Sequence, residues 1–318
     1  MSVAAEQRRA PRPGARENRS FLERVRAGGL GYKRQLWLML LPYLLGVLGL
    51  VILPALLSVP FAFTDYDALS APEWVGLDNF TEMFSDRLFW NGLGVSMFFI
   101  VLAVPLRVLG ALLLAFLLHH KGSMNRVGRI AAYIPTIVPD VAYALLWLYI
   151  FNPLYGPLNW LLQAFGVWPG AWLLWPDQAR LAIVLMMLWP IGEGFVLMLA
   201  AFQDIPGDLS EAASVDGASG WQRFSRITLP LLAPTLLLLL FRDTVMSFQT
   251  TFVPALVTTN AGPYHATRFL PVYIWETAAE HQRFGYAAAM VWVLYLVTVL
   301  VIVLQFVVAR RWRTSVSA

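Results

Sequence analysis

The chain has 318 residues, 58% hydrophobic and only 13% charged. Soluble domains are nearer half apolar and a quarter charged. That excludes an ordinary soluble protein, and apolar windows of about 20 residues, each able to cross roughly 30 Å of hydrocarbon, make it a polytopic membrane protein. With no cysteine, disulfides, thiol catalysis and cysteine metal sites are excluded, and a net charge of +4 reads as membrane orientation rather than nucleic-acid binding.

In chain order, Met1 to Arg34 is rich in Arg, Pro and Gly and lacks an apolar period. It reads as a disordered cytoplasmic tail rather than a cleavable signal, because the apolar run after it is far longer than a signal's core. Six spans follow over residues 35–310: Leu36–Phe63, Gly92–Leu118, Ile130–Phe151, Arg180–Phe202, Leu231–Pro254 and Tyr286–Val308. Prolines 42, 54, 105, 135, 139, 190 and 234 lie within them and predict kinks, which membrane helices tolerate where neighbours satisfy the freed carbonyls. Residues 311–318 form a short tail. Of the 23 Lys and Arg, those of the first tail, Lys121, Arg126, Arg129, Arg223, Arg226, Arg310, Arg311 and Arg313 fall on one side, against Arg87, Arg268 and Arg283 on the other. The asymmetry places both termini in the cytoplasm of a multi-pass cell-membrane protein. The outside loops, 64–91, 152–179 and 255–285, are too short for a separate domain, and the Trp-rich second one suits the membrane interface.

Five ionisable residues fall inside the expected spans: Arg107, Asp140, Glu193, Arg242 and Asp243. Each would cost roughly 2.5–3.5 kcal/mol facing lipid at a helix centre, so they should face the bundle interior or an aqueous cavity. Their signs allow two pairs and one leftover acid. One reading is interhelix pairing that locks the packing; Asp140, following Pro139, can instead satisfy a broken backbone. The other is a hydrogen-bonding path for a hydroxyl-rich solute. Glu193 sits between Gly192 and Gly194, where backbone can approach a ligand closely. Ser247, Gln249, Thr250 and Thr251 add neutral donors and acceptors. Trp189 and Phe248 can stack on sugar rings or simply pack. The four histidines suggest no metal site, no nucleophile–base constellation is visible, and the chain lacks the G-x-x-x-x-G-K-[ST] phosphate cradle.

Between the fourth and fifth spans lies the polar stretch 204–229. Pro206 suits a first helical turn. Leu209, Ala212 and Ala213 have helical spacing, with Asp208 and Glu211 early in the helix where its dipole favours them. Gly217 predicts a break. Trp221 and Phe224 then fall one turn apart as an aromatic plug, with Arg223 and Arg226 on another face. This is a helix–turn–helix elbow, readable either as an amphipathic connector on the lipid surface or as a docking element.

Glu211-Ala212-Ala213, Asp216-Gly217-Ala218, Ile227, Leu229 and Pro230 resemble the EAA motif of ABC importer permeases. "WVGLDNF" (Trp74–Phe80), "VPL" (Val104–Leu106), "GYAAAM" (Gly285–Met290) and "LLFRDTVMSFQTTFVPALVTTNAGP" (Leu239–Pro263) are similar to the carbohydrate-uptake branch, the maltose and glycerol-phosphate type. The Gly-rich tract usual after the fifth span is reduced here to Thr258-Thr259-Asn260-Ala261-Gly262-Pro263.

The resemblance implies an all-α type I permease of about six transmembrane helices with a cytoplasmic coupling helix. It implies that the elbow docks in a cleft of a separate ATPase, with Glu211 bonding to that subunit, Ala212 and Ala213 allowing close approach, Gly217 permitting the turn, and Asp216, Trp221 and Phe224 completing the coupling surface. Implied partners are a second permease forming a heterodimer, two ATP-binding subunits that hold the ATP, an extracytoplasmic solute-binding protein, and a sugar or polyol. The chain itself would be no enzyme and carry no cofactor. The rival readings are an ion-coupled carrier using Asp140 or Glu193 as proton relay, and an integral membrane enzyme acting on lipid.

Overall fold

A computed structural model of the chain describes residues 29–120 and 122–316. The chain divides into two compact units, residues 1–59 and 60–318. The first contains α1 (Gly29–Val47), which leads through a π-helical turn (Leu48–Ile52) into α2 (Leu53–Phe61). Pro54 has no N–H to offer the preceding turn, and the wider turn, in which the Leu53 N–H reaches the Leu48 carbonyl, accommodates it. Arg34–Phe61 is long and apolar enough to span a bilayer. The helix already begins at Gly29, so the end of the stretch expected to be a tail is helical; extending a formed helix costs less than nucleating one. Residues 1–28 of that expected tail lie outside the described residues.

The second unit opens with a two-residue ribbon, β1 (Thr64–Asp65) antiparallel to β2 (Glu73–Trp74), and a short α3 (Asp78–Ser85). Asp86 caps α4 (Arg87–Leu118), accepting from the Leu88 N–H at 2.8 Å. That cap starts the helix ahead of the expected Gly92. The next expected span, Ile130–Phe151, is not one rod. α5 (Ser123–Tyr133), a 3₁₀ turn (Ile134–Ile137) and α6 (Asp140–Ile150) make a pair bent by 104°. Pro139 forces Val138 out of the helical region, so the first helix must stop there. The fourth span is also a bent pair. After the loop helix α7 (Pro157–Ala164), α8 (Pro176–Leu188) and α9 (Gly192–Gln203) meet at 45° across Trp189–Ile191.

Past the elbow, Gly220–Thr259 forms one span-length helical run containing α12 (Leu229–Thr250) and α13 (Phe252–Thr259). α14 (Leu270–Trp275) passes through a π turn (Glu276–Glu280) before the last helix, α15 (Phe284–Val316), which runs beyond the expected end of its span. Among the described residues, four helices are therefore long and apolar enough to cross a membrane, and up to six spans result if each bent pair is one. Among the described residues the fold is helical apart from the ribbon, as expected.

Three apolar clusters hold the second unit. Phe99, Phe151, Ile183, Met186 and Phe269 fill its middle. Phe195, Met198, Leu232 and Leu239 seal α4, α9 and α12 toward the elbow. Met83, Phe89, Leu270 and Met290 close the far end.

At that far end polar bonds join segments that are distant in sequence. The Asn79 amide donates to the carbonyls of Ala62 (3.0 Å) and Thr64 (2.9 Å). Asp86 accepts from the hydroxyls of Tyr273 and Tyr286. Burial, with the Asp86 carboxylate beside it, pushes the Tyr273 phenol up to about 12. Burial also raises the Glu276 carboxyl, opposed by Arg268 at 3.3 Å. Arg283 grips Glu82 through two bonds of 2.7 and 2.6 Å, and this holds Glu82 below the ordinary value of 4.5.

Two outcomes are expected from this end. Gly285 presses on the Thr64 backbone so closely that an added methyl collides with its carbonyl. Gly285→Ala should cost about 1–3 kcal/mol by overpacking, read as a lowered melting temperature in detergent. Because the folded pKa of Glu82 is depressed, its bridge adds stability above the ordinary carboxylate range and loses it as pH falls through the folded value. Glu82→Gln should therefore lower the melting temperature slightly at pH 7, and by less as the pH is brought down through the folded value.

Candidate functional site

The elbow is built from two standard helix ends placed back to back. α10 (Gly207–Val215) starts after Pro206 and stops at Gly217, whose φ of +79° is the left-handed conformation glycine adopts freely. The Ala218 N–H reaches the Ala213 carbonyl at 2.9 Å and the Gly217 N–H reaches that of Ser214 at 3.1 Å, the paired closure of a Schellman motif. One residue on, Ser219 and Gln222 form a reciprocal capping box that launches α11 (Gly220–Arg223). A π turn (Phe224–Thr228) then feeds α12. Arg223 folds back across the turn, donating to the hydroxyls of Ser214 (2.5 Å) and Ser210 (3.4 Å). The capping box is legible in the Ser-x-x-Gln spacing, but the arginine brace has no signal in the sequence.

Glu211, Ala212, Asp216, Gly217 and Trp221 are exposed on this elbow, while Ala213 and Phe224 are half-buried. The two aromatics divide their work. Phe224 packs edge-on against Phe116 at 5.2 Å, and Trp221, 74% exposed, lies 5.8 Å from Phe224. With Leu109, Leu112, Leu113 and Gly220 they line an apolar cavity of about 520 Å³ rather than plugging it.

Deeper in the bundle, the two broken spans abut. Gly192, opening α9, sits against Thr136 and Tyr133 at the break before α6, where no side chain would fit. Pro190 has no N–H, so the carbonyl of Met186 has no partner four residues on and accepts instead from the Trp189 N–H at 3.2 Å. The Tyr143 hydroxyl of α6 donates to the same carbonyl at 2.5 Å, a bond buried inside the bundle. The Pro190 carbonyl accepts from Arg107 of α4 at 3.4 Å.

Around this break the charges form a circuit. Arg107 lies 3.6 Å from Asp243, Asp243 lies 3.4 Å from Arg242, and Arg242 pairs with Glu193 in the first turn of α9. Two cations and two anions from α4, α9 and α12 thus neutralise one another, and Arg107 and Asp243 are nearly inaccessible. Asp140 stands apart. It lies at the break between α5 and α6, at the first position of α6, exposed and without an ion pair among the described residues.

The neutral candidates separate too. Ser247, Thr250 and Thr251 each donate to the carbonyl four residues back, so their hydrogens are spent on their own helix. Phe248 is half-buried and Gln249 exposed. Trp189 is 59% exposed and meets Trp147 edge-on at 6.1 Å. Among the described residues no His, Asp and Glu cluster is able to hold a metal ion.

A bundle of bent spans around a charge circuit, with a braced polar elbow at one end, defines a multi-pass membrane permease, and comparison with known proteins says which kind. Residues 107–314 match the family described as "Binding-protein-dependent transport system inner membrane component", and the chain belongs to that family of ABC importer permeases. It is 35% identical over 278 residues to the probable ABC transporter permease protein YesP of Bacillus subtilis, covering 85% of this chain and 89% of that one. It is 37% identical over 247 residues to the trehalose/maltose transport system permease protein MalF of Thermococcus litoralis, covering 77% and 81%. In fold it is similar, at a TM-score of 0.74 and 23% identity, to a chain of the crystal structure of a bacterial ABC transporter that imports the acidic polysaccharide alginate, over 89% of this chain and 97% of that one.

Tyr143→Phe removes the buried bond to the Met186 carbonyl, which keeps the Trp189 N–H. One such hydrogen bond is worth about 0.5–1.5 kcal/mol net. Thermal unfolding in detergent should show that loss, with secondary structure retained below the transition.

Proposed function

We propose that this chain is the membrane-spanning subunit of an ATP-driven importer for a sugar or related polyol. The observation that carries the reading is the elbow: a short, rigidly turned segment that leaves Glu211, Ala212, Asp216 and Trp221 uncovered while its own backbone bonds are closed. Small side chains admit a close neighbour, and a carboxylate beside them offers an acceptor for a charge-assisted bond. The neighbour is a separate ATP-binding subunit, two of which serve the complex; the ATP is theirs, and this chain is neither an enzyme nor a cofactor carrier. The elbow faces the cytoplasm together with both termini, a placement that the distribution of Lys and Arg supports. Relatives named for trehalose/maltose and for sn-glycerol-3-phosphate transport support the solute class.

The solute path runs between this chain and a second, different permease. Trp189 and Gln249, exposed at mid-bundle, border it, and Asp140 marks its edge at the other break. Exposed polar groups at this depth call for water or a partner, not lipid. A solute-binding protein delivers the sugar from outside, and nucleotide-driven motion of the elbow alternates access to the path. The ion-coupled alternative needs a free carboxylate; Glu193 is committed to Arg242, which leaves only Asp140 for that role.

The test is Glu211→Arg, alongside replacement of residues 207–217 by a Gly/Ser tether. Both should reach the membrane at normal level, fail to co-purify with an ATP-binding subunit and lose uptake. Undiminished sugar uptake by the tether variant rules the proposal out.

A further inference from the structure

We infer that the Glu193–Arg242 ion pair closes α9, the elbow and α12 into one lever that pivots at the Trp189–Ile191 break; this rests on the permease reading. The chain between the two residues leaves Glu193 down α9, turns through the elbow and returns up α12 to Arg242. At 1.5 Å per residue each arm is about 15–20 Å long. One end of the two arms is joined covalently by the elbow and the other by the ion pair. Between these ends Phe195, Met198, Leu232 and Leu239 pack the arms together.

The pivot has the properties this motion needs. Pro190 removes the backbone bond that would otherwise carry α8 rigidly into α9. The last turn of α8 is held from the other side, by Tyr143 on the Met186 carbonyl. Arg107 stands at the joint, donating to the Pro190 carbonyl and facing Asp243. Without the Glu193–Arg242 pair, the contacts described between the upper ends of the arms are apolar, and these resist separation but set no register along the helices. A push on the elbow would then slide α12 past α9 instead of tilting both. Glu193 and Arg242 are positioning residues: they determine how much elbow motion reaches the break.

The chain contains no cysteine, so a pair of new ones can be bridged selectively. The whole transporter, with its ATP-binding subunits and binding protein, is reconstituted in vesicles; uptake and ATP hydrolysis are measured together. In Glu193→Cys with Arg242→Cys, hydrolysis should stay within about twofold of wild type while sugar moved per ATP falls about tenfold, within the usual range of coupling effects. A short reducible bis-thiosulfonate linker should restore the ratio, and reductant should abolish it again. Glu193→Gln, which keeps the shape and one hydrogen bond, should fall between the two and serves as the second variant if the double one assembles poorly. Parallel loss of hydrolysis and uptake in both variants means the pair merely holds the fold, and overturns the inference; so does an unchanged ratio, or one the linker leaves low. Wild-type uptake that needs no ATP overturns the permease reading itself, and the inference with it.

Discussion

A backbone inside hydrocarbon has no water to bond with, so every break in a span must find its partners within the protein. This chain breaks two spans, each at proline, and the rest of the bundle is arranged around making those breaks tolerable. The Met186 carbonyl, denied the Pro190 position, takes the Trp189 N–H and the Tyr143 hydroxyl, and the Pro190 carbonyl accepts from Arg107. An arginine at that depth then needs a counter-charge, which Asp243 supplies. Asp243 and Glu193 share Arg242 in turn, and the circuit ends electrically neutral.

The same economy shapes the two ends of the second unit. At the elbow, helix termini that would expose backbone groups are closed by a Schellman motif and a capping box, and the turn is stiffened by Arg223 on two serines. At the far end, Asp86 serves both as the cap of a long helix and as the acceptor for two tyrosines from later segments. Polar bonds close both ends, and the pair of abutting breaks lies between them. On the reading proposed above, the closed ends would transmit displacement and the breaks would direct it.

Much is legible in the sequence alone. Apolar length and the scarcity of charge established a polytopic helical membrane protein. The Glu211–Gly217 signature located the elbow and its turn, because a left-handed glycine and adjacent alanines are local requirements written in consecutive residues. The five intramembrane charges announced themselves by their cost, and their signs already allowed two pairs with one acid left over.

What the sequence could not say is which helix meets which. Pro139 ends the first half of Ile130–Phe151 locally, but the meeting of that break with the next, Thr136 against Gly192, has no signal in the sequence. The commitment of Glu193 to Arg242, the retreat of Ser247, Thr250 and Thr251 onto their own carbonyls, and the isolation of Asp140 follow from side-chain directions that no spacing reveals. Composition and local pattern determine that charges and prolines must be satisfied, since solvation energy belongs to each residue separately. The partner that satisfies each one is set by packing between segments up to about two hundred positions apart, as with Glu82 and Arg283, and only the tertiary structure decides it.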